Sequence, residues 1–382
     1  MERIELEERP GWRAKAEELG FRFHTMHGEP YWDESSAYRF TLEEVEAGIE
    51  APATELHALC REAVAAILAS EELMDRMAIP PGHRDLVAES WRAAEPELYG
   101  RMDLVFGAGP AKLLEYNADT PTALYESAAF QWIWLEEMAA AGALPEGADQ
   151  FNGIHEALVE RMRAILPAGS DLHFASVRGS EEDYATVEYM AWCAREAGLG
   201  AHYVSLDEIG VTPGGQLADG QSRVMGALFK LYPWEDMLRD DFAGYLRGSG
   251  CRIIEPAWKA LVSNKGLLPV LWRLFPGHPN LLPAVFEGEP PPEGPLVSKP
   301  LFSREGASII MQTPEGELAS ERRDYDAWPR ILQRYAALPD FDGWHPVIGA
   351  WIVGEACVGM GIREDRSRIT QDLSRFKPHV IV

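Results

Sequence analysis

The stretch RMDLVFGAGPAKLLEYNAD, residues 101–119, decides how we interpret the rest of the chain. Two short apolar runs, at 104–106 and 112–116, flank the sequence Gly-Ala-Gly-Pro at 107–110. Apolar runs separated by Gly and Pro are typical of two strands joined by a tight turn. The stretch therefore predicts a β-hairpin.

Polar side chains of this hairpin are expected to gather on one surface. Side chains alternate faces along a strand, so Arg101 and Asp103 point the same way on the first arm. By the same rule Glu115, Asn117 and Asp119 share a face on the second arm. Carboxylate and amide oxygens suit Mg²⁺, which keeps waters and shares the rest of its shell with phosphate oxygens. A solvated outer face is the alternative, but Asn and Asp are poor strand formers and neighbouring carboxylates repel each other without a cation. We therefore favour a metal site.

Length and composition restrict the class of protein. A chain of 382 residues is too long for one simple core and suits two or three subdomains. Its 46% hydrophobic and 25% charged residues are ordinary values for a globular protein. The formal charge of −26 argues against nucleic acid or an anionic membrane as a partner. It is compatible with a cationic substrate such as an amine, although acidic surfaces usually only confer solubility.

Cysteine usage and the N-terminus favour the cytoplasm. The four cysteines are far apart and form no CxxC or Cys/His cluster, so we expect neither zinc nor a disulfide framework. The N-terminus is charged from its second residue, unlike a signal peptide. No segment approaches the ~20 apolar residues of a membrane span.

Residues 171–201 predict a strand, a loop and a helix of an open α/β sheet. A buried-strand pattern, HFASV, precedes the polar loop RGSEED, and the helical pattern that follows ends at Gly198. Ligands of such sheets meet the loop at the carboxyl end of the strand, so Arg178, Glu181 and Glu182 are candidate substrate contacts. A plain helix start with favourable acids is an equally good interpretation.

The region after residue 255 has features of nucleotide binding. Lys265 is expected near the beginning of a helix, and Lys299 at the end of a strand. Arg304, Glu305 and Gly306 lie in a polar turn before a strand at 309–313. A turn with small residues and exposed backbone N–H groups can close over phosphates. Neither a P-loop nor a GxGxxG fingerprint is present.

Two further segments complete this region. A strand at 331–335, which includes Gln333 and Tyr335, is expected to present its backbone edge to an adenine. Apolar runs at 347–353 and 356–362 predict a hairpin with a two-residue turn. Arg363 follows the second run, and an arginine at the end of a buried strand is costly to place without an anionic partner.

Several blocks, in order from about residue 101 to the C-terminus, resemble the glutathionylspermidine synthetase family of the ATP-grasp superfamily. They include RMDLVF, LEYNADTPT, SVRGSEEDY, FKLYPWE, VSNKG, KPLFSREGASI and GMGIRED. The resemblance implies a mixed α/β (α+β) chain with an ATP-grasp fold, a pre-ATP-grasp domain and a helical N-terminal segment. The expected divisions are a mainly helical segment at 1–100, the hairpin with an α/β substrate region at 101–255, and a nucleotide-binding region at 256–382 whose lid spans about 256–320.

The resemblance also implies an ATP-dependent carboxylate–amine ligase. ATP phosphorylates a carboxylate, and an amine then displaces phosphate from the acyl phosphate. The residues that match the family's Mg²⁺ ligands are Asp103, Glu115 and Asn117. Those expected to contact ATP are Arg101, Lys265, Lys299, Arg304, Glu305, Gly306, Gln333 and Tyr335. Arg363 and Arg101 match catalytic positions. Less specific matches to substrate positions are Thr120, Thr122, Glu181, Glu182 and Asp372.

Elementary chemistry agrees with this route. An acyl phosphate needs metal ions and cations on the transferring group, and a lid that keeps water from a hydrolysable intermediate. Bifunctional family members carry an N-terminal cysteine amidase domain, and this chain is expected to be a ligase alone. The partners are expected to be a peptide-like carboxylate and an amine such as a polyamine, and neither is tied to glutathione or spermidine. Two alternatives stay open: a carboxylate kinase or peptide ligase for another amine, and an inactive nucleotide-binding regulatory or assembly protein.

Overall fold

The predicted hairpin forms the edge of a five-stranded antiparallel sheet in the computed structural model, which describes residues 1–371 and 373–382. Its strands, Tyr99–Gly107 and Gly109–Asn117, pair Arg101 with Asn117 and Asp103 with Glu115. We call this the central sheet, and its other strands are His345–Val353, Ala356–Asp365 and Arg375–Lys377. Both hairpins predicted from the sequence are confirmed. The first one turns at Ala108, more tightly than expected, so Pro110 already belongs to the second strand.

Apolar side chains cover both faces of the central sheet. Met102 and Leu104 share a core with Leu56 of the helix Ala51–Leu68. The side chain of Tyr99 lies on the opposite face of the strand and shares a second core with Leu158 of the helix Ile154–Ile165. This double cover explains why the strand Tyr99–Gly107 is buried along almost its whole length.

A second, parallel sheet stands beside the central sheet. Its strands in spatial order are Arg252–Ile254, Ala227–Lys230, Asp171–Ser176 and Gly200–Ser205, and all adjacent pairs are parallel. The helix Glu181–Glu196 connects the last two strands, and the Ser180 hydroxyl caps it by accepting a hydrogen bond from the Asp183 N–H at 3.2 Å. The predicted strand–loop–helix unit is confirmed.

The third sheet, which we call the lid sheet, is antiparallel. Its strands in spatial order are Ala284–Phe286, Arg330–Arg334, Leu296–Pro300, Ile310–Thr313 and Gly316–Ala319. Lys299 lies on a strand, as predicted, and so does Gln333. Between Leu296–Pro300 and Ile310–Thr313 the chain makes the turn that contains residues 304–306, which we call the lid turn.

Lys265 lies near the beginning of a helix, as predicted, directly before Gly266, the N-cap of the helix Leu267–Leu274. The residues before it form a separate short helix, Lys259–Val262, so the helical pattern is broken between the two. Asn264 explains the break, because its side chain accepts a hydrogen bond from the Gly266 N–H at 2.8 Å and donates one to the Met77 carbonyl at 2.7 Å. These bonds compete with a continuous helical ladder.

Residues before the hairpin combine helices with strands. The strands Glu2–Glu5 and Ser36–Phe40 pair with each other, and Ser36–Phe40 also pairs in parallel with His379–Ile381. Thr41 and Glu44 form a capping box at the start of the helix Leu42–Val45. The other helices of this part and of the middle of the chain are Trp12–Glu18, Glu46–Glu50, Glu71–Arg76, Arg84–Arg92, Glu126–Phe130, Gln131–Ala140, Trp234–Met237 and Ala243–Leu246. Among the described residues, no helix has the length and apolar character needed to cross a bilayer.

Candidate active site

A cleft opens where the hairpin of the central sheet faces the lid sheet. Its volume is about 1120 Å³ including the open mouth. The cleft contains all three proposed metal ligands, every proposed ATP contact, Arg363, Thr120 and Thr122. Residues separated by more than 200 positions in the sequence therefore line one cavity.

The charge of the cleft is opposite to that of the chain. Seven Lys and Arg side chains line the cleft, against only three Asp and Glu side chains, in a protein with a formal charge of −26. Low-dielectric walls concentrate the field of such a group of charges. The cleft is therefore suited to a polyanionic ligand.

Two arginines donate hydrogen bonds to the Asp103 carboxylate. Arg101 donates to both Asp103 carboxylate oxygens, at 2.7 and 3.2 Å, and Arg363 donates to Oδ2 at 2.9 Å. Arg101 also donates to the Thr122 carbonyl at 2.7 Å. Arg363 thus has the anionic partner that its position at the end of a buried strand required.

Glu115 lies between two lysines from the other end of the chain. Lys265 Nζ is 3.1 Å from Glu115 Oε2. Burial alone would raise the pKa of Glu115, but the charges of Lys265 and Lys299 lower that pKa to about 2. Burial and the neighbouring Lys265 charge lower the pKa of Lys299 to about 8, although Glu115 opposes this. A second anion in the cleft would stabilise the charged form of Lys299.

The oxygen donors of the hairpin fit a hard cation. Asn117 lies beside Glu115 and donates to its Oε1 at 3.2 Å. Within residues 1–371 and 373–382 no three His, Cys, Asp or Glu side chains are grouped so as to hold a metal ion. Two carboxylates and one amide are nevertheless enough for Mg²⁺, because this ion takes few protein ligands and completes its shell with water and phosphate oxygens.

Asp119 does not join these groups, contrary to the alternation that we extrapolated along the second arm. The strand ends at Asn117, and the fully buried Asp119 carboxylate accepts from Lys230 Nζ at 2.5 Å and from the Trp234 N–H at 2.8 Å. It fixes the end of the hairpin to the parallel sheet instead.

The lid turn closes one side of the cleft. Glu305 and Gly306 have φ values of +53° and +66°. A Cβ on Gly306 would lie 2.3 Å from the Thr370 carbonyl oxygen, so this close approach requires glycine. Lys265 Nζ donates to the Ser303 carbonyl at 2.7 Å and connects the lid turn to the floor of the cleft.

The lid sheet is joined to the hairpin by Gln333. Its side chain accepts from Lys299 Nζ at 2.8 Å and donates to the Leu113 carbonyl at 3.0 Å. Tyr335 follows the strand Arg330–Arg334 and lines the cleft. The expectation that this strand presents its backbone edge to an adenine is wrong, because the strand pairs on both sides, with Ala284–Phe286 and Leu296–Pro300. Gln333 and Tyr335 both lie in the cleft, and Gln333 also positions the Lys299 ammonium group.

The substrate positions inferred from the resemblance are divided between different places. Thr120 and Thr122 line the cleft. Glu182 is near Thr122, and burial together with the Glu126 carboxylate raises the pKa of Glu182 to about 7. Glu181 instead lines a separate groove, together with Tyr184 and Glu188 of the same helix. Asp372 lies outside the described residues.

The glutathionylspermidine synthase pre-ATP-grasp family model matches residues 3–382. The chain belongs to this family. A protein of Haemophilus influenzae to which acid–amine ligase activity is ascribed is 35% identical over 98% of both chains. Trypanothione synthetase of Crithidia fasciculata is 29% identical over 83% of this chain. The bifunctional glutathionylspermidine synthetase/amidase of Escherichia coli is 26% identical over 97% of this chain.

The match to the larger enzymes is partial. This chain covers 52% of the trypanothione synthetase and 63% of the bifunctional enzyme. A glutathione synthetase-like effector of Globodera pallida has a similar fold, with a TM-score of 0.54 at 11% identity over 91% of this chain and 89% of that one. The mixed α/β architecture is therefore of the ATP-grasp type. The named relatives show that the chain is an enzyme of the ATP-dependent acid–amine ligase class.

Two contributors to the site of this glutathionylspermidine synthase family member escaped sequence reasoning. Glu235 accepts from the lid-turn Arg304 at 2.5 Å. Glu126 accepts from the Tyr31 hydroxyl at 2.7 Å, close to Glu182. The sequence offered a weak indication for Glu235, which closely follows the carboxyl end of the parallel strand Ala227–Lys230, where ligands of open sheets gather.

Proposed function

We propose that the chain joins the carboxylate of a peptide-like acid to an amine through an acyl phosphate, with ATP and Mg²⁺. The observation that carries the proposal is the cationic cleft in which Glu115 of the hairpin lies between Lys265 and Lys299. Two lysines and a carboxylate from distant parts of the chain are a suitable arrangement for a metal-bound triphosphate.

Each step has candidate groups in the cleft. Lys265 and Lys299 hold the phosphates, and Arg363 and Arg101 stabilise negative charge on the phosphoryl group as it moves to the acid. The carboxylate oxygen bonds to the γ-phosphorus while the bond to ADP breaks. The amine nitrogen then bonds to the acyl carbon, the carbon–oxygen bond to phosphate breaks, and the nitrogen loses a proton.

Asp103, Glu115 and Asn117 would hold Mg²⁺, which neutralises phosphate charge when it is bound. The lid turn lies over the cleft, and its role in this mechanism is to keep water from the acyl phosphate. Gln333 orients Lys299, since it accepts one of the ammonium protons at 2.8 Å.

The amine has a candidate binding region beside the threonines. Glu182 and Glu126 place two carboxyl groups close together near Thr122, and an ammonium group would compensate their mutual repulsion. The relatives named for glutathionylspermidine support a peptide acid and a polyamine as the first substrates to test. A cytoplasmic location belongs to the same proposal.

The test is nucleotide turnover with purified protein, Mg²⁺ and combinations of acids and amines. We expect ADP and phosphate release that requires both partners, and an amide product detected by mass spectrometry. Release with an acid alone, trapped by hydroxylamine as a hydroxamate, would show that the acid is activated before the amine attacks. Nucleotide binding without turnover across a broad panel would contradict ligase activity.

Glu115→Gln provides the matched variant, because it keeps the shape of the side chain and removes its charge. We expect turnover to fall at least ~100-fold, since one ligand charge between two lysines is lost. The circular dichroism spectrum should not change. Glu55→Gln, at an exposed glutamate of the helix Ala51–Leu68, is the control. Turnover within threefold of wild type in Glu115→Gln would refute the metal assignment.

A further inference from the structure

The guanidinium group of Arg304 connects the lid turn to the end of the parallel sheet. Arg304 Nη2 donates to Glu235 Oε1 at 2.5 Å, and Nη1 donates to Thr120 Oγ1 at 2.7 Å. The Glu235 side chain is only 12% exposed. One guanidinium thus connects three parts of the structure: the lid turn, the end of the hairpin and the parallel sheet.

Glu235 is itself held in a fixed position. It lies in the short helix Trp234–Met237, which follows the strand Ala227–Lys230. The N–H of Trp234 donates to Asp119 at 2.8 Å, and Lys230 pairs with the same carboxylate. The backbone that carries Glu235 is therefore anchored to the end of the hairpin by a buried ion pair.

The other contacts of the lid turn differ in kind. Lys265 Nζ donates a charge-assisted hydrogen bond to the Ser303 backbone carbonyl, and Gly306 has no side chain of its own where it approaches Thr370. Glu305 pairs with Arg322, which lies between the lid-sheet strands Gly316–Ala319 and Arg330–Arg334 and not across the cleft. Among the described contacts of residues 303–306 with the opposite side of the cleft, the one between Arg304 and Glu235 is the ion pair between two side chains.

We propose that Glu235 is a positioning residue that keeps the lid turn closed over the cleft by holding Arg304 against Thr120. The lid then closes the site before any ligand is present. The proposal rests on the proposed function in one respect: closure serves to exclude water from an activated acid. The closed geometry itself can be measured without substrates.

Hydrogen exchange of the ligand-free protein provides the direct test. In Glu235→Gln we expect amides in residues 302–309 to exchange about tenfold faster than in wild type, because Arg304 loses its charged partner. Glu235→Asp keeps the charge and should recover part of the protection. The matched control is Glu89→Gln, which removes the exposed partner of Arg247 at 2.8 Å.

A role limited to general stability would give a different result. It would lower the melting temperature and raise exchange across the parallel sheet as well. Unchanged exchange at 302–309 in Glu235→Gln, or an increase spread evenly over the chain, would overturn the proposal. An increase confined to 302–309, with a melting temperature near that of the control variant, would support it.

A second measurement separates this proposal from the proposed function. A non-hydrolysable ATP analogue with Mg²⁺ should slow exchange at 302–309 in Glu235→Gln more than in wild type, whose lid is already closed. If the analogue protects none of the variants, the assignment of a nucleotide site fails. The comparison of ligand-free proteins still decides whether Glu235 holds the lid turn.

Discussion

His379 should make the fold sensitive to mild acid. Its imidazole is fully buried, with Nε2 accepting from the Phe151 N–H at 3.1 Å and Nδ1 facing Gln131 Oε1 at 2.9 Å. The ring is therefore neutral, with its proton on Nδ1. A second proton would have to bind the Nε2 lone pair that accepts the hydrogen bond from the Phe151 N–H. Burial lowers the pKa of His379 from 6.5 to about 3.

The sign and size of the effect follow from this difference in pKa. Between about pH 6.5 and pH 3 the unfolded chain binds a proton at His379 that the folded chain does not, so folding stability falls as the pH decreases. One pKa unit corresponds to about 1.4 kcal/mol, so roughly 2 kcal/mol is lost between pH 7.5 and pH 5 through this one group. The loss is complete only below about pH 3.

Urea denaturation of wild type and His379→Gln at several pH values between 7.5 and 5 would measure the effect. Glutamine cannot be protonated, so the variant should lose about 2 kcal/mol less than wild type over this range, even if it is less stable at pH 7.5. The difference between the two curves removes the contributions of other groups. Parallel curves would refute the neutral, buried histidine.

Two further substitutions test the architecture of the site. Gly306→Ala places a methyl group against the Thr370 carbonyl at a positive φ, and we expect an ATP analogue to bind about tenfold more weakly in calorimetry, with Gly244→Ala as the control. Asp119→Asn leaves Lys230 buried without a charged partner, and we expect a loss of about 3–5 kcal/mol of unfolding free energy in urea.

A defined result would contradict each of these two predictions. Affinity within twofold of wild type in Gly306→Ala would show that the lid turn does not close over the nucleotide. A loss below about 1 kcal/mol in Asp119→Asn would show that the ion pair with Lys230 does not anchor the hairpin.

Local patterns in the sequence predicted the elements of the site well. Alternation along two short strands was enough to place Arg101 and Asp103 on one face, because a period of two leaves no other choice once the arms pair. The same rule failed at Asp119, since alternation ends where the strand ends, and the sequence does not show that Lys230 takes this carboxylate out of the metal group.

Contacts between distant segments could not be predicted in this way. The break at Lys265 depends on Asn264 finding the Met77 carbonyl, and Glu235 meets Arg304 from a different sheet. Such pairings depend on how the sheets pack, which no local period encodes. The resemblance to a family indicated which lysines belong together, but not the glutamate that holds the lid turn.

The strand order of the central sheet has a consequence for synthesis on the ribosome. The strand Tyr99–Gly107 pairs on one side with its hairpin partner and on the other with His345–Val353, roughly 240 residues later. At ~5–20 residues per second, roughly 10–50 s pass before that neighbour is translated. During this interval a buried, apolar strand is an open edge. Chaperone capture of nascent chains, and aggregation of fragments that stop before residue 345, are the expected results.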